Sequence, residues 1–265
     1  MKPEGILQKI AQKTHERIAE EKRSRSLGEL RSKVADLECE TFFPFERAMW
    51  KNELSFICEV KKASPSKGVI AHDFDYTQIA KEYETAGADA ISVLTEPYFF
   101  LGADAYLSQI RALVTTPILR KDFTIDEYMI YQAKLLGADA VLLICSLLTT
   151  NQLQEYLEIA KSIGLSSLVE VHDATEIEQA LDAKASMIGV NNRSLNDFSV
   201  DTNNTKRLRA FVPNDVLLIT ESGVSNPADI RVIRNIPCDG VLIGEALMRS
   251  SNKTELLREF RMYDL

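Results

Sequence analysis

The sequence predicts an α/β protein folded as one closed (β/α)8 barrel with an N-terminal helical extension. Three observations carry that prediction. Eight short apolar, β-rich runs recur at regular intervals from residue 55 onward; stretches with helical spacing lie between them; and polar residues collect at the C-terminal ends of six of the runs. Strand, helix and strand in repetition mean parallel pairing through crossover helices. Eight units, with no glycine-rich fingerprint after the first strand, favour closure into a TIM barrel over an open doubly wound sheet.

In chain order, residues 4–24 set Ile6, Leu7, Ile10 and Ile18 among Lys, Glu and Arg, with no proline or glycine after Gly5. This is the pattern of a long polar helix with a thin apolar stripe, and its basic end at residues 22–25 reads as a solvated face. Residues 26–50 read as short helix and loop, with the aromatic residues Phe42, Phe43, Phe45 and Trp50 expected to cap a core. The division is therefore a helical extension over residues 1–48 and a catalytic barrel over residues 49–265. The extension is expected to pack outside the barrel and reach toward its C-terminal rim.

The strands are expected at residues 55–60, 90–94, 117–120, 140–144, 167–171, 187–190, 216–220 and 240–243. Helices are expected at residues 76–85, 126–136, 150–163, 175–181 and 227–235. An internal echo supports the repeat: Ala86-Gly87-Ala88-Asp89-Ala90 and Leu136-Gly137-Ala138-Asp139-Ala140 each close a helix and open a strand, and Pro237-Cys238-Asp239-Gly240 is a weaker third copy. Glycine suits the left-handed end of a helix there.

Composition excludes several functions. A formal net charge of -8 argues against general nucleic-acid binding, so an anionic ligand would have to be drawn by a local field. The four cysteines, Cys39, Cys58, Cys145 and Cys238, form no CxxC pair or disulfide ladder, and the three histidines form no HExxH, so reduced thiols and no metal are expected. Residues 1–10 lack a signal-type apolar segment, and the longest apolar run, residues 140–148, is too short to span a bilayer. A cytoplasmic protein with no membrane contact is expected.

Chemistry is expected where the strands end. In Glu59-Val60-Lys61-Lys62-Ala63-Ser64-Pro65-Ser66-Lys67-Gly68, strand alternation points Glu59 and Lys61 to the same side, a costly pair to bury unless it is used. The third strand runs into Arg120-Lys121-Asp122-Phe123 and the fifth into Glu170-Val171-His172. The sixth runs into Asn191-Asn192-Arg193, the seventh into Glu221-Ser222-Gly223, and the eighth into Gly244-Glu245. The last two turns stand where this architecture often cradles a phosphate on backbone N–H groups.

These blocks carry a family resemblance. The run from Glu59 to Gly68 resembles the first-strand signature of the indole-3-glycerol phosphate synthase family. The likeness continues through Ser92-Val93-Leu94-Thr95-Glu96 with Phe99, Phe100 and Gly102, Leu119-Arg120-Lys121-Asp122-Phe123, Leu168-Val169-Glu170-Val171-His172, Ile188-Gly189-Val190-Asn191-Asn192-Arg193, Thr220-Glu221-Ser222-Gly223 and Leu242-Ile243-Gly244. It covers about residues 50 to 250, and the N-terminal helix is similar to the family's extension.

The resemblance implies ring closure of 1-(2-carboxyphenylamino)-1-deoxyribulose 5-phosphate to indole-3-glycerol phosphate, with loss of carbon dioxide and water. It implies a small phosphorylated substrate, no cofactor and no metal; the chain is expected to act as a monomer. The family's catalytic positions fall on Glu59, Lys61, Lys121, Glu170, Asn191 and Glu221, with Lys121 matching the general acid of ring closure. Its substrate contacts fall on Ser64, Phe100, Phe123, Arg193, Ser222, Gly223, Gly244 and Glu245: Phe100 and Phe123 match the walls of the anthranilate pocket, and the last four match the phosphate region. Two positions depart from the expected pattern, Ala103 after Gly102 and Glu245, where some members carry serine. A carboxylate at residue 245 would repel phosphate, so backbone binding with the side chain turned outward is expected. Among rivals, phosphoribosylanthranilate isomerase would need a first-strand cysteine, and Cys58 has the wrong parity. A noncatalytic phosphate-binding barrel would not need both Lys61 and Lys121.

Overall fold

The computed structural model describes residues 5–37, 42–194 and 197–262. Cys39 and residue 4, the first of the expected N-terminal helix, lie outside them. Strand β1 (Ser55–Val60) is followed by a small antiparallel hairpin of β2 (Ala63–Ser64) and β3 (Gly68–Val69). The remaining strands are β4 (Ala90–Leu94), β5 (Ile118–Lys121), β6 (Ala140–Ile144), β7 (Ser166–Val171), β8 (Met187–Asn191), β9 (Leu217–Glu221) and β10 (Gly240–Ile243). All but the hairpin close into one barrel of eight strands in the order β1-β10-β9-β8-β7-β6-β5-β4, and every pair is parallel. Each sequence-expected strand falls within a residue of its place, while the hairpin was not foreseen.

The extension forms helix α1 (Ile6–Ser24), α2 (Leu27–Ala35), which a Ser26–Glu29 capping box opens, and α3 (Pro44–Met49). The barrel helices follow as α4 (Tyr76–Thr85), α5 (Asp104–Arg111), α6 (Glu127–Leu136), α7 (Thr150–Ser162), α8 (Ala174–Asp182), α9 (Asn204–Leu208), α10 (Pro227–Arg234), α11 (Glu245–Arg249) and α12 (Lys253–Met262). Of these, α5, α9, α11 and α12 went unpredicted.

Two separate cores result from strand alternation. Outward residues such as Phe56, Cys58, Ile91, Val93, Ile188 and Val241 pack under the helices, while inward residues such as Ile57, Ala90, Leu119, Leu142, Leu168, Met187, Ile219 and Leu242 fill the barrel. Phe45 and Met49 of α3 join the inner core, and Met49 Sδ lies against Gly240 where β10 begins, so α3 stops the barrel's floor. The expected aromatic cap is thus only partly realised. Phe45 is buried, whereas Phe42 and Trp50 are more than half exposed, with Phe42 covered on one face by the Arg47 guanidinium at 3.7 Å.

The internal echo has a physical cause that its glycines only partly express. Asp89 donates its backbone N–H to the Phe56 carbonyl and accepts the Phe56 N–H on Oδ2; Asp139 does the same with Ile118, and Asp239 with Leu218. Each aspartate therefore clasps the start of one strand to the start of the strand before it, through its backbone N–H in one direction and its carboxylate in the other. Gly87 and Gly137 take left-handed φ of 87° and 88° on the way into these joints. A related turn precedes β8, Ala183-Lys184-Ala185-Ser186, in which Lys184 holds φ 69° without being glycine. No helix among the described residues is long and apolar enough to cross a membrane.

Candidate active site

At the C-terminal ends of the strands, the inward residues change from apolar to charged. Glu59 is the last inward residue of β1, and Lys61, two further on, meets it with Nζ 2.6 Å from Oε1. Gly244 makes this pair possible: a Cβ there would stand 2.4 Å from Glu59 Oε1 and 2.9 Å from Lys61 Nζ.

Lys121, the last residue of β5, projects across the barrel between two carboxylates. Its Nζ lies 2.6 Å from Glu221 Oε2 at the end of β9 and 3.2 Å from Glu170 Oε2 on β7. Burial alone would lower the Lys121 pKa, but the charges of Glu221, Glu170 and Glu59 outweigh it and hold the ammonium above its ordinary value. Two buried carboxylates share this one cation, and they divide unequally. Glu170 is opposed by burial but held below its usual range by Lys121, His172 and a hydrogen bond from Asn191. Burial pushes Glu221 up to about 7, with the charges of Glu170 and Glu59 adding to the rise and Lys121 only partly offsetting it. Glu221 Oε1 has no hydrogen-bond partner among the described residues, and the space it occupies exists because residue 189 is glycine, whose Cβ would come within 2.2 Å.

Asn191 ties the far side together. Its Nδ2 donates to Glu170 Oε1 at 3.2 Å, while its Oδ1 accepts the Arg193 N–H and the Ser222 hydroxyl, both at 3.0 Å. The aromatic wall is Phe100 against Phe123, with ring centroids 5.9 Å apart. Fully buried Glu96 shapes that wall by accepting the backbone N–H groups of Tyr98, Phe99 and Phe100. Over it lie Ile6, Leu7 and Ile10 of α1, which give the helix's apolar stripe its partner. Arg17 holds α1 in place through two bonds to buried Asp122, at 3.0 and 2.9 Å, immediately after Lys121.

The whole encloses a cavity of about 690 Å³. Every residue singled out from the sequence lines it: Glu59, Lys61, Ser64, Phe100, Lys121, Phe123, Glu170, Asn191, Arg193, Glu221, Ser222, Gly223, Gly244 and Glu245. On the β9–β10 side, Ser222 and Gly223 both take left-handed backbone, with φ of 66° and 100°. The space a Gly223 Cβ would need is taken by Thr202 at 2.9 Å and Val200 at 3.2 Å, so close packing of its own loop already demands glycine. Glu245 differs from expectation. Its carboxylate is not turned away from the cations of the rim but lies among them, 3.0 Å from Arg249 Nε, 3.9 Å from Lys67 Nζ and 4.0 Å from Arg193 Nη2. One anion among three cations leaves an excess of positive charge, so the repulsion feared from the sequence is neutralised locally.

Lys67, Arg249, Glu96, Arg17 and the α1 stripe were not named as site residues beforehand. Lys67 stands inside the first-strand signature, and its place next to Gly68 was the available signal; Glu96 stands in the block after the second barrel strand, two to four residues from the N–H groups it accepts, while Arg17 and the α1 stripe reach the site only through the fold. No group of three or more His, Cys, Asp or Glu that could hold a metal occurs among the described residues.

Known proteins resemble this chain at two levels. A family model described as indole-3-glycerol phosphate synthase matches residues 7–260. A relative of that name from Ruminiclostridium cellulolyticum is 51% identical over 256 residues, covering 97% of this chain and 98% of its own. Another from Leuconostoc mesenteroides is 45% identical over 258 residues, with the same coverage. Among solved structures, 3-hexulose-6-phosphate synthase from Salmonella typhimurium superposes with a TM-score of 0.65 at 14% identity, over 79% of this chain and 97% of that one. The tryptophan synthase alpha subunit of Legionella pneumophila does so with a TM-score of 0.61 at 14% identity, over 83% and 97%. At that identity the likeness is one of fold alone.

Proposed function

The chain belongs to the indole-3-glycerol phosphate synthase family, and from that premise we propose how its cavity divides the labour of the reaction. The activity is that of a carboxy-lyase of tryptophan biosynthesis: 1-(2-carboxyphenylamino)-1-deoxyribulose 5-phosphate closes to indole-3-glycerol phosphate with loss of carbon dioxide and water. The observation that carries the assignment of roles is Lys121, one ammonium held between two buried carboxylates beside a pair of phenylalanines.

In this reading the anthranilate ring lies by Phe100 and Phe123, and the phosphate lodges near Ser222-Gly223 and Gly244-Glu245, drawn by Arg193, Lys67 and Arg249. The ring carbon attacks the ribulose carbonyl, whose electron pair moves to oxygen and takes a proton from Lys121, a contribution of about 10²- to 10⁴-fold in rate. The ring is then cationic, and Glu170 and Glu221 stabilise it until the carboxylate leaves as carbon dioxide with its bond pair returned to the ring. Dehydration follows. Lys61 protonates the departing hydroxyl and Glu59 removes the ring proton, a division supported by their 2.6 Å contact. Asn191, bonded to Glu170, Ser222 and the Arg193 backbone, is a positioning residue for the carboxylate.

The isomerase alternative lacks support, since Cys58 is fully buried in the outer core and burial pushes its thiol up. Adding the carboxyphenylamino substrate to the purified enzyme should give the fluorescence of an indole product. Fluorescence unchanged while the substrate remains intact would refute the reading.

A further inference from the structure

His172 lies just beyond β7, two residues after Glu170, so strand alternation brings both to the same side. The ring is held from behind. Its Nδ1 stands 3.0 Å from Glu176 Oε2, which also accepts the His172 backbone N–H at 2.7 Å, and Asn204 Nδ2 donates to the His172 carbonyl. With Nδ1–H donating to Glu176, Nε2 of a neutral ring would present a lone pair. That nitrogen is buried, has no hydrogen-bond partner among the described residues, and faces Glu170 Oε1 at 3.6 Å. A lone pair set against a carboxylate oxygen repels it, whereas an Nε2–H attracts it, so this geometry selects the doubly protonated ring.

We propose that His172 is a positioning residue acting through Glu170: clamped by Glu176, it places a positive charge behind the Glu170 carboxylate and keeps that group ionised and aimed into the cavity. The inference rests on the reading of Glu170 as a carboxylate that faces the ring cation. An ionised Glu170 stabilises that cation, while a neutral one would not. His172 is raised above its ordinary value: burial opposes the charge, but the Glu176 hydrogen bond and the charges of Glu170, Glu176 and Glu221 prevail. The charged groups around the ring are Glu170 on β7, Glu176 on α8 and Glu221 on β9, with Lys121 beyond Glu170. Asp173, Arg193, Asp201 and Arg207 line a second cavity of about 340 Å³ on its other side. Because the folded-state pKa is raised, the charge is complete at low pH and is lost as pH rises through the His172 titration. Turnover should fall over that same interval.

The chain has three histidines, so ¹⁵N-imidazole NMR of the intact enzyme can follow His172 directly. Both its nitrogens should show protonated shifts at pH 6.5, with a midpoint above the ordinary ~6.5. Glu170→Gln should lower that midpoint by about one unit, the size of a close charge partner's effect. His172→Gln keeps a hydrogen-bonding side chain without the charge; it should lower kcat about tenfold, change KM little and remove the alkaline limb of the kcat profile. A neutral His172 ring at pH 6.5, a midpoint unmoved by Glu170→Gln, or an unchanged alkaline limb in a folded His172→Gln would each overturn the proposal. If Glu170→Gln lowered the midpoint yet left kcat intact, the role of Glu170 in the reaction would fall while its coupling to His172 stood.

Discussion

Lys121 is the residue on which the mechanism turns, and its contacts dictate how its loss should appear. An interaction made mainly in the transition state shows in turnover, while uniform anchoring shows in KM. Lys121→Ala should therefore cut kcat by about 10²- to 10⁴-fold with a much smaller change in KM. Lys121→Arg keeps the charge but donates a proton poorly, so near-normal single-turnover ring closure in that variant would move the acid role to Lys61. Glu221 gives a pH signature. Its folded pKa of about 7 lies above the ordinary carboxylate range, so the ligand-free fold loses stability as pH rises from about 4.5 through 7, by at most ~3 kcal/mol. Denaturant midpoints across that range should flatten in Glu221→Gln; His172 adds a slope of the same sign at the upper end. Gly244→Ala should leave the fold intact, because the atoms in its way are the mobile tips of Glu59 and Lys61, while displacing that pair and slowing dehydration. All these residues could be read from the sequence because each stands at a strand end, where a period of two fixes which side chains point inward. The clamp on His172 and the cluster around Glu245 were harder to read: Glu176 and Arg249 stand only four residues from their partners, but that spacing does not show which way the side chains turn, and Lys67 and Arg193 meet Glu245 only through the fold.

At the scale of elements, periodicity located every barrel strand and five of the barrel helices, but it missed α12, whose ten residues bury Leu257 and Phe260. Helices α9 and α11 have five residues each, too few to establish a 3.6-residue period, and the eight residues of α5 follow directly on the Phe100 loop. The repeated turn was recognised by its glycines, yet the hydrogen bonds belong to its aspartates. Lys184 occupies the left-handed position that Gly87 and Gly137 fill elsewhere, at a cost of about 1 kcal/mol for a residue with a Cβ. Lys184→Gly should accordingly raise the unfolding midpoint without touching kcat. Helix α1 depends on an ion pair rather than on its caps, having no side-chain N-cap bond. Arg17→Ala leaves Asp122 buried with only Thr95, Arg120 and the Phe123 N–H for company, which should cost about 2 kcal/mol and raise KM as the roof over the aromatic wall loosens.

At the scale of the whole molecule, the expectation that the enzyme acts as a monomer has a direct test: the active enzyme should sediment at a mass near 29.8 kDa. The aspartate clasps join β1 to β4, β5 to β6 and β9 to β10, so none crosses the turn between α7 and β7. A chain cut at Gly164 would leave all three closed within their own halves. The first piece would keep Glu59, Lys61 and Lys121, and the second Glu170, Asn191 and Glu221, so neither half alone would hold the ammonium between its two carboxylates. Produced together from separate reading frames, the pieces should find each other through the open strand edges at both seams, and growth of a tryptophan-requiring host would depend on having both.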